Sequence, residues 1–185
     1  MKCSVFIATS ADGYIATNDG DIDWLQQPVN LQTDKKDKLD MGFSSYINSV
    51  DCMIMGRNSM EKIASFNLNE EQWFYGDLEI FALSNSLNEV PDNLRGKVKI
   101  HQGDIPSLLS TLEARGFQHA YIDGGKTITS FLNLGLINEM TITLVPIILG
   151  EGIRLFGKTN QYIRLVKSQA EAYTNDFIQV KYNIE

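Results

Sequence analysis

Cysteine and histidine are scarce in this chain, with two of each among 185 residues. Cys3 and Cys52 both lie in apolar runs typical of strands, so we predict buried thiols without a disulfide. His101 and His119 have no cysteine or acidic residue at ligand spacing, so the sequence gives no signature of a zinc site. We therefore expect neither a disulfide framework nor a metal centre.

Long apolar runs and clustered cations are missing as well. No apolar stretch reaches the roughly 18 residues that cross a membrane, and residues 1–16 are typical of a first strand rather than a signal peptide. The 16 basic residues are scattered among 23 acidic ones, and the net charge of −7 argues against nucleic acid as a partner. We therefore expect a cytoplasmic protein. An acidic protein can still bind a phosphorylated small molecule, since local N–H groups and one or two cations suffice for a phosphate.

The composition is that of a globular protein, 43% hydrophobic and 21% charged. The length favours one domain, residues 1–185. Apolar runs alternate with segments of helical spacing, which predicts an α/β fold with a mostly parallel sheet and a C-terminal antiparallel hairpin at its edge. The predicted strands are 3–9, 14–16, 50–55, 78–83, 98–100, 120–122, 140–149, 162–167 and 177–184. The predicted helices are 34–48, one beginning at Met60, one around 105–112 after an Asp104 cap, and one around 128–132 that Gly135 ends.

Small polar residues follow three of the predicted strands. They are the groups Gly56-Arg57-Asn58-Ser59, Ser84-Asn85-Ser86 and Gly124-Gly125-Lys126-Thr127. Glycines let a ligand approach the backbone, and helix N-termini offer unpaired N–H groups to anions. Because ligands of open α/β sheets bind at the carboxyl ends of strands, three such turns suit a dinucleotide.

Residues 120–127 also fit the loose form of a phosphate-binding loop, with Gly125-Lys126-Thr127 as its tail. That loop needs its middle residues to wrap around phosphate, whereas Tyr121 and Ile122 have the character of a strand. No later apolar strand ends in an aspartate suited to Mg²⁺. The sequence therefore argues against a nucleotide triphosphatase.

Taken in order, several motifs resemble the dihydrofolate reductase-like superfamily. They are FIATSADGYIA, the Trp24 anchor, VDCMIMGRNSMEKI, IFALSNS, AYIDGGKTI and LINEMTITLVPIILGEGIRLFG. The similarity covers nearly the whole chain and is greatest to the branch that contains the C-terminal reductase domain of riboflavin biosynthesis. It implies a three-layer fold with helices on both faces of the sheet.

The resemblance implies NADPH as hydride donor, held across the sheet edge. The residues that would contact it are Gly56, Arg57 and Ser59 at phosphate, Ser84 and Asn85 near the adenosine ribose and its 2′-phosphate, Gly124, Gly125, Lys126 and Thr127 around the pyrophosphate, and Ala8 and Ile15 beside the nicotinamide. Dihydrofolate reductases carry an arginine where this chain has Asn85 and Ser86. No acidic residue ends that strand to favour a free 2′-hydroxyl, so we keep NADPH over NADH.

The resemblance also implies a carboxyl group in the substrate pocket, on the first helix after the tryptophan. Asp40 is nearest to that position, with Asp34 and Asp37 as rivals, while a solvated helix face is the alternative reading of all three. Phe43 and Trp24 would line the substrate pocket. Asp12 is a separate catalytic candidate at the end of the first strand, and turn formation is its alternative role.

The sequence thus predicts an NADPH-dependent reductase of a small pterin- or pyrimidine-like heterocycle. The alternative is a nucleotide-binding protein without catalysis, such as a sensor or scaffold. The apolar late strands suit a homodimer. We also expect Gly125→Val to abolish cofactor binding without disturbing the fold.

Overall fold

The computed structural model describes residues 1–26 and 40–185. The strands in these ranges are β1 (Lys2–Ser10), β2 (Tyr14–Ala16), β3 (Cys52–Gly56), β4 (Glu79–Leu83), β5 (Val98–His101), β6 (His119–Asp123), β7 (Glu139–Val145), β8 (Ile153–Arg154), β9 (Leu165–Ala172) and β10 (Ile178–Ile184). The helices are α1 (Phe43–Ile47), α2 (Arg57–Ser65), α3 (Ile105–Ala114) and α4 (Gly125–Asn133). None of the described helices is long and apolar enough to cross a membrane.

Eight strands form one sheet in the order β5-β4-β3-β6-β1-β7-β10-β9. All neighbours from β5 to β7 are parallel, so these six strands end at the same edge of the sheet. β10 is antiparallel to both β7 and β9, which gives the predicted hairpin with β9 as the outer strand. The mostly parallel α/β sheet and its C-terminal hairpin are thereby confirmed. β2 and β8 form a separate two-stranded ribbon.

Helices cover both faces of the sheet, and this explains the unbroken apolar runs of the central strands. In β3 the side chains of Cys52, Met53, Ile54 and Met55 are all 0% exposed, as expected where two layers cover a parallel strand. Ile54 packs with Leu112 of α3 and Phe131 of α4 on one face. Met53 and Met55 pack with side chains of α1 and α2 on the other. Full burial of each such side chain contributes about 1.5–3 kcal/mol to folding.

Local signals placed α3 correctly. The Asp104 carboxylate accepts a hydrogen bond from the Ser107 backbone N–H at 2.7 Å, which caps the start of the helix. Gly116, just past its end, has a φ of +93° that glycine adopts readily.

The prediction of a helix over 34–48 was wrong for residues 40–42, which the structure describes and which are not helical. α1 begins only at Phe43, because Met41 and Gly42 have φ values of +50° and +84° that break a right-handed helix. The Asp40 carboxylate accepts the backbone N–H groups of Gly42 and Ser44, both at 3.0 Å, and so stabilises this turn instead. Residues 34–39 lie outside the described ranges.

Other boundaries also differ from the sequence predictions, and β7 ends at Val145 rather than at residue 149. α2 starts at Arg57 rather than Met60. β9 covers Leu165–Ala172 rather than 162–167, so its polar residues belong to the strand and not to the turn before it. Nearly every side chain of this outer strand faces solvent, and hydrophobic periodicity therefore carries little information about its position.

Candidate active site

The three polar turns lie side by side, because β4, β3 and β6 are consecutive neighbours in the sheet. Gly56 at the end of β3 pairs in register with Leu83 at the end of β4. On the other side of β3, Met55 pairs with Asp123 at the end of β6. The structure thus brings the turns together along one continuous edge.

The N-termini of α2 and α4 meet at this edge in a reciprocal contact. A Cβ atom added to Gly56 would lie 2.9 Å from Thr127 Oγ1 of α4, and one added to Gly124 would lie 2.5 Å from Ser59 Oγ of α2. Each helix therefore presses a hydroxyl group against the glycine that precedes the other helix. We call these four residues the glycine groove.

Both helices that border the glycine groove begin without a side-chain cap. Gly56 and Gly124 occupy their N-cap positions, and no side-chain hydrogen bond from the part of the chain that the structure describes caps either helix. By contrast, Asp104 caps α3. Uncapped N-termini carry partial positive charge and free N–H donors, so the glycine groove is suited to phosphate groups.

Two cationic side chains flank the glycine groove. Arg57, the first residue of α2, is exposed, and its Nε donates to Glu61 Oε1 at 2.7 Å. Lys126 is exposed in the first turn of α4. A surface pair such as Arg57–Glu61 is worth at most about 1 kcal/mol, so an anion could draw the guanidinium away.

The turn after β4 is held by its own side chains. Ser84 Oγ accepts the backbone N–H of Leu87 at 3.2 Å. Asn85 Oδ1 accepts the backbone N–H of Gly103 at 3.3 Å, which ties this turn to the one that follows β5. Asn85 is exposed and Ser84 is half-buried.

Ala8 and Ile15, predicted to border a nicotinamide, lie in β1 and β2 respectively and contact different clusters. Ala8 packs against the cluster of Trp24, Val145 and Phe177. The Ile15 Cδ1 atom lies 3.3 Å from the position of a Cβ on Gly125, at the start of α4. The structure therefore packs these two residues against different hydrophobic clusters.

Asp123, the last residue of β6, is a candidate functional residue absent from our sequence-based set. Part of it reaches solvent, but protein surrounds its carboxyl group, and this burial raises its pKa above that of an ordinary aspartate. Hydrogen bonds from Ser59, from Tyr121 and from the Gly124 N–H oppose the rise. The Tyr121 hydroxyl has one proton to share between Phe6 O at 3.0 Å and Asp123 Oδ1 at 3.3 Å. The sequence did contain a signal for Asp123, because this aspartate ends an apolar strand and directly precedes a glycine pair.

The carboxylates predicted from the sequence have structural partners. Asp40 is exposed, and hydrogen bonds from Ser44 and Gly42 lower its pKa. Asp12 accepts a hydrogen bond from Ser10 Oγ at 2.6 Å, which lowers its pKa. It also accepts the Gly150 N–H at 2.8 Å, so it joins the β1–β2 turn to the loop after β7.

The Asp34 and Asp37 alternatives lie outside the described residues. Their contribution to the site therefore stays a prediction.

A wall of aromatic rings begins at Tyr121, whose hydroxyl lies 3.3 Å from Asp123 Oδ1, and continues through Tyr46 to Phe6. The Phe43 ring lies 5.7 Å from the ring of Phe6 and 6.2 Å from that of Phe74. Phe74 is 49% exposed, so the wall extends to the surface and offers stacking partners to a planar ligand. Trp24 is only 4% exposed, and its Nε1 has no partner among the described residues. The structure thus places Phe43 at this wall and Trp24 in the core beneath the β1 end.

Gln179 of β10 fixes the segment that carries Phe43. Its Nε2 group donates to Thr143 Oγ1 of β7 and to the Met41 carbonyl oxygen, both at 3.0 Å. Met41 lies two residues before Phe43. The hairpin therefore holds the start of α1 over the sheet.

Two open cavities of about 460 and 530 Å³ lie elsewhere, along β4, β5 and their connections. The first lies at the amino ends of these strands, opposite the edge where open α/β sheets bind ligands. Its cations already have partners. Lys99 pairs with Glu79 at 2.7 Å, and Lys97 lies 4.5 Å from the ring centre of Trp73. Neither cavity includes a residue of the glycine groove.

Comparison with known proteins agrees with this architecture. The chain is 26% identical over 187 residues to the Bacillus subtilis protein YyaP, covering 96% of this chain and 92% of YyaP. It is 37% identical to a Shewanella sp. PV-4 protein named for riboflavin biosynthesis, with a TM-score of 0.88 and coverage of 100% and 99% of the two chains. A dihydrofolate reductase from Enterococcus faecalis, complexed with NADP(H), shares the fold at 10% identity, with a TM-score of 0.62 over 100% and 96% of the chains.

The resemblance noted in the sequence is confirmed by these neighbours and by a family model. Residues 76–179, more than half of the chain, match the model of the RibD C-terminal domain. This region contains the turn after β4, all of β6 and α4, and Asp123. The chain therefore belongs to the RibD C-terminal domain family.

Proposed function

We propose that this protein is an NADPH-dependent reductase that transfers a hydride to a small heterocyclic substrate, pterin- or pyrimidine-like. The glycine groove carries the proposal, because two uncapped helix N-termini meet there beside an aromatic wall and a carboxyl group of raised pKa. Membership of the RibD C-terminal domain family supports a reductase of the pyrimidine type.

NADPH, when bound, would supply the hydride. The first N–H groups of α2 and α4, with the hydroxyl groups of Ser59 and Thr127, would bind its phosphates. Phe6 and Phe43 would orient a planar ring by stacking, and the wall around them would exclude water. Asp123 would hold a proton beside that ring and donate it, since its raised pKa keeps the carboxyl protonated to higher pH than in an ordinary aspartate.

Titration of NADPH fluorescence with the protein tests the binding step. Arg57→Gln should weaken binding roughly tenfold, the value of one hydrogen bond to a charged group. Arg95→Gln is the matched control, since Arg95 is also an exposed arginine paired with acids, Glu89 and Asp92. Absence of binding for both NADPH and NADH, or equal weakening in the two variants, would overturn the proposed site.

Oxidation of NADPH against a panel of pterins and pyrimidines tests the reaction. We expect at least one member to be reduced. Binding of NADPH without reduction of any member would favour the alternative, a nucleotide-binding protein without catalysis.

We also propose a homodimer formed through the C-terminal hairpin. Ile178 of β10 and Leu165 of β9 are 44% and 40% exposed, and a second copy would cover them. Sedimentation should give twice the monomer mass, and Ile178→Lys should return the protein to a monomer. The cytoplasmic location stays a prediction.

A further inference from the structure

Three consecutive aromatic residues, Trp73, Phe74 and Tyr75, lie between α2 and β4 and have different surroundings. The Trp73 indole Nε1 donates to the Gly76 carbonyl oxygen at 3.1 Å, and this residue borders the first of the two open cavities. Tyr75 is only 7% exposed, whereas Phe74 is 49% exposed. Residues 76–179 match the family model, so the family match assigns no role to Phe74 or Tyr75.

Phe74 forms the outer end of the aromatic wall. Its ring centre lies 6.2 Å from that of Phe43 and 4.4 Å from that of Tyr75, and half of the side chain still faces solvent. An exposed ring is ordinary when it stands alone on a surface, but this ring continues a row that begins beside Asp123. Its exposed part therefore suits contact with the apolar part of a planar ligand.

The Tyr75 ring lies deeper, on the sheet face that carries α1 and α2. It belongs to the same hydrophobic cluster as Met55, Met60 and Tyr121. Burial, and after it the charge of Asp123, raises the pKa of the Tyr75 hydroxyl group. Tyr75 is therefore within electrostatic reach of the carboxyl group that we propose as the proton donor.

The Tyr75 hydroxyl group has no hydrogen-bond partner in residues 1–26 or 40–185. By contrast, the hydroxyl groups of Tyr46 and Tyr121 both have partners there. The polar side-chain atoms in those ranges that are fully enclosed and without a partner are Thr9 Oγ1 and Trp24 Nε1. Tyr75 Oη is not one of them, so it borders accessible space. A phenol buried along its ring and open at its hydroxyl group is placed to bond a ligand.

We infer that, given the proposed function on which this rests, Tyr75 and Phe74 determine which substrates the protein accepts. The Tyr75 hydroxyl group bonds a polar atom of the substrate ring that lies beside Asp123. Phe74 covers a second ring, fused to the first on its outer side. A two-ring planar heterocycle contacts both residues, whereas a single pyrimidine ring contacts Tyr75 alone. The site therefore favours two-ring substrates over single-ring ones.

Pterin and isocytosine separate the two contacts, because isocytosine is the pyrimidinone ring of pterin without the fused pyrazine ring. Calorimetry in the presence of NADPH measures their dissociation constants. Tyr75→Phe should weaken the binding of both probes about three- to tenfold, the value of one hydrogen bond, and so leave the ratio Kd(isocytosine)/Kd(pterin) unchanged. Phe74→Ala should lower that ratio about three- to tenfold, the value of one contact between rings, with little change for isocytosine.

Two variants outside the aromatic wall are matched controls. Tyr182→Phe removes a hydroxyl group from the half-buried tyrosine of β10, and Phe66→Ala removes a ring that is 39% exposed after α2. Both variants should keep the wild-type dissociation constants. A wild-type ratio in Phe74→Ala, or wild-type affinities in Tyr75→Phe, would overturn the inference. Failure of both probes to bind the wild type would overturn it too, whereas the NADPH titration and the oxidation panel decide the proposed function separately.

The stability of Tyr75→Phe distinguishes a ligand contact from a structural one. Because the hydroxyl group has no partner in the described ranges, its removal should leave the free energy of unfolding unchanged or increase it. A hydroxyl group that stabilised the fold would lose stability together with affinity. Urea denaturation measures this, and a clear loss of stability in Tyr75→Phe would contradict the assignment. Phe74 is half exposed, so Phe74→Ala should also stay folded.

Discussion

The buried carboxyl group of Asp123 lowers the stability of the fold when it ionises, and the same burial suits it to proton transfer. It ends the central strand β6, beside Tyr121, the glycine groove and the aromatic wall. Burial raises its pKa, so the folded protein binds its proton more tightly than the unfolded chain does. Its stabilising contribution is therefore present at low pH and is lost as the pH rises through the folded-state pKa. A group that costs stability when ionised fits a role in catalysis better than one in folding.

Asp123→Asn separates these two effects. Asparagine cannot ionise, so the free energy of unfolding should increase relative to the wild type as the pH rises above the ordinary aspartate range. Turnover should fall about 100-fold or more if the carboxyl donates a proton, while NADPH affinity changes little. Denaturant titrations across pH, with steady-state rates, measure both. Unchanged turnover would exclude Asp123 from proton delivery.

Gly125 is required by packing, which corrects our expectation for its valine variant. A Cβ atom on Gly125 would lie 2.6 Å from the carbonyl oxygen of Arg154 and 3.0 Å from that of Leu155. Backbone atoms cannot move aside as a flexible side chain would. Even Gly125→Ala should therefore lower the free energy of unfolding by about 1–3 kcal/mol.

Gly116→Ala is the comparison for that variant. Gly116 has a φ of +93°, and no atom of residues 1–26 or 40–185 lies within 4 Å of an added Cβ, so this change costs only the backbone strain of about 1 kcal/mol. Denaturation of both proteins by urea measures the difference. A fully stable Gly125→Ala protein would show that the β8 segment moves aside freely.

At the scale of elements, the helices differ in how they begin. The Asp104 carboxylate caps the N-terminus of α3, whereas the N-cap residues of α2 and α4 are glycines, which have no side chain to accept a hydrogen bond. A glycine N-cap loses only a few tenths of a kcal/mol relative to a capping side chain, and it leaves the first N–H groups open. Two such N-termini at one edge therefore offer donors to an anionic ligand at little cost to folding.

Pyrophosphate should therefore stabilise the folded protein and raise its melting temperature. At a concentration tenfold above its Kd, it should add about 1.4 kcal/mol to the free energy of unfolding. Thr127→Val keeps the side-chain volume but removes the hydroxyl that faces Gly56, so the rise should be smaller. Thr111→Val makes the same change on α3 and should leave the rise intact. Scanning calorimetry with and without pyrophosphate measures it, and equal shifts in both variants would argue against the glycine groove.

Elements with local signals were predictable from the sequence, and contacts between distant residues were not. The Asp104 cap and Gly116 define α3 within a few residues. The start of α1 depends on the left-handed Met41 and on Gln179, which holds it from the far side of the sheet. No local pattern reports such a link.

The candidate site likewise has features that the sequence predicts and features that appear only in the fold. The three turns were visible because glycine and hydroxyl residues follow apolar runs. The reciprocal contact of Ser59 with Gly124, and the raised pKa of Asp123, exist only once β3 and β6 are neighbours. The sequence therefore predicted where the three turns lie, whereas the surroundings of Asp123 became visible only in the structure.

For the whole molecule, the edge of the sheet opposite the candidate site is held by a partly buried chain of polar side chains. His119 Nδ1 donates to the Ser49 carbonyl oxygen at 2.9 Å, so its Nε2 accepts from Ser4 Oγ at 2.7 Å. Ser4 Oγ in turn accepts from Tyr46 Oη at 2.8 Å. Strands β1 and β6 and helix α1 are thereby joined through one neutral imidazole.

The free energy of unfolding should therefore decrease when His119 becomes protonated. Burial lowers the pKa of this ring below 6.5, so the unfolded chain takes up a proton first as the pH falls through about 6.5. The stability lost between about pH 6.5 and 5 should be smaller in His119→Gln, whose amide can donate and accept but cannot ionise. His101→Gln is the control for the other histidine, and Asp123 titrates equally in all three proteins. Urea denaturation at several pH values measures how the free energy of unfolding changes with pH. The same change in the wild type and in His119→Gln would show that this chain of hydrogen bonds tolerates a charged ring.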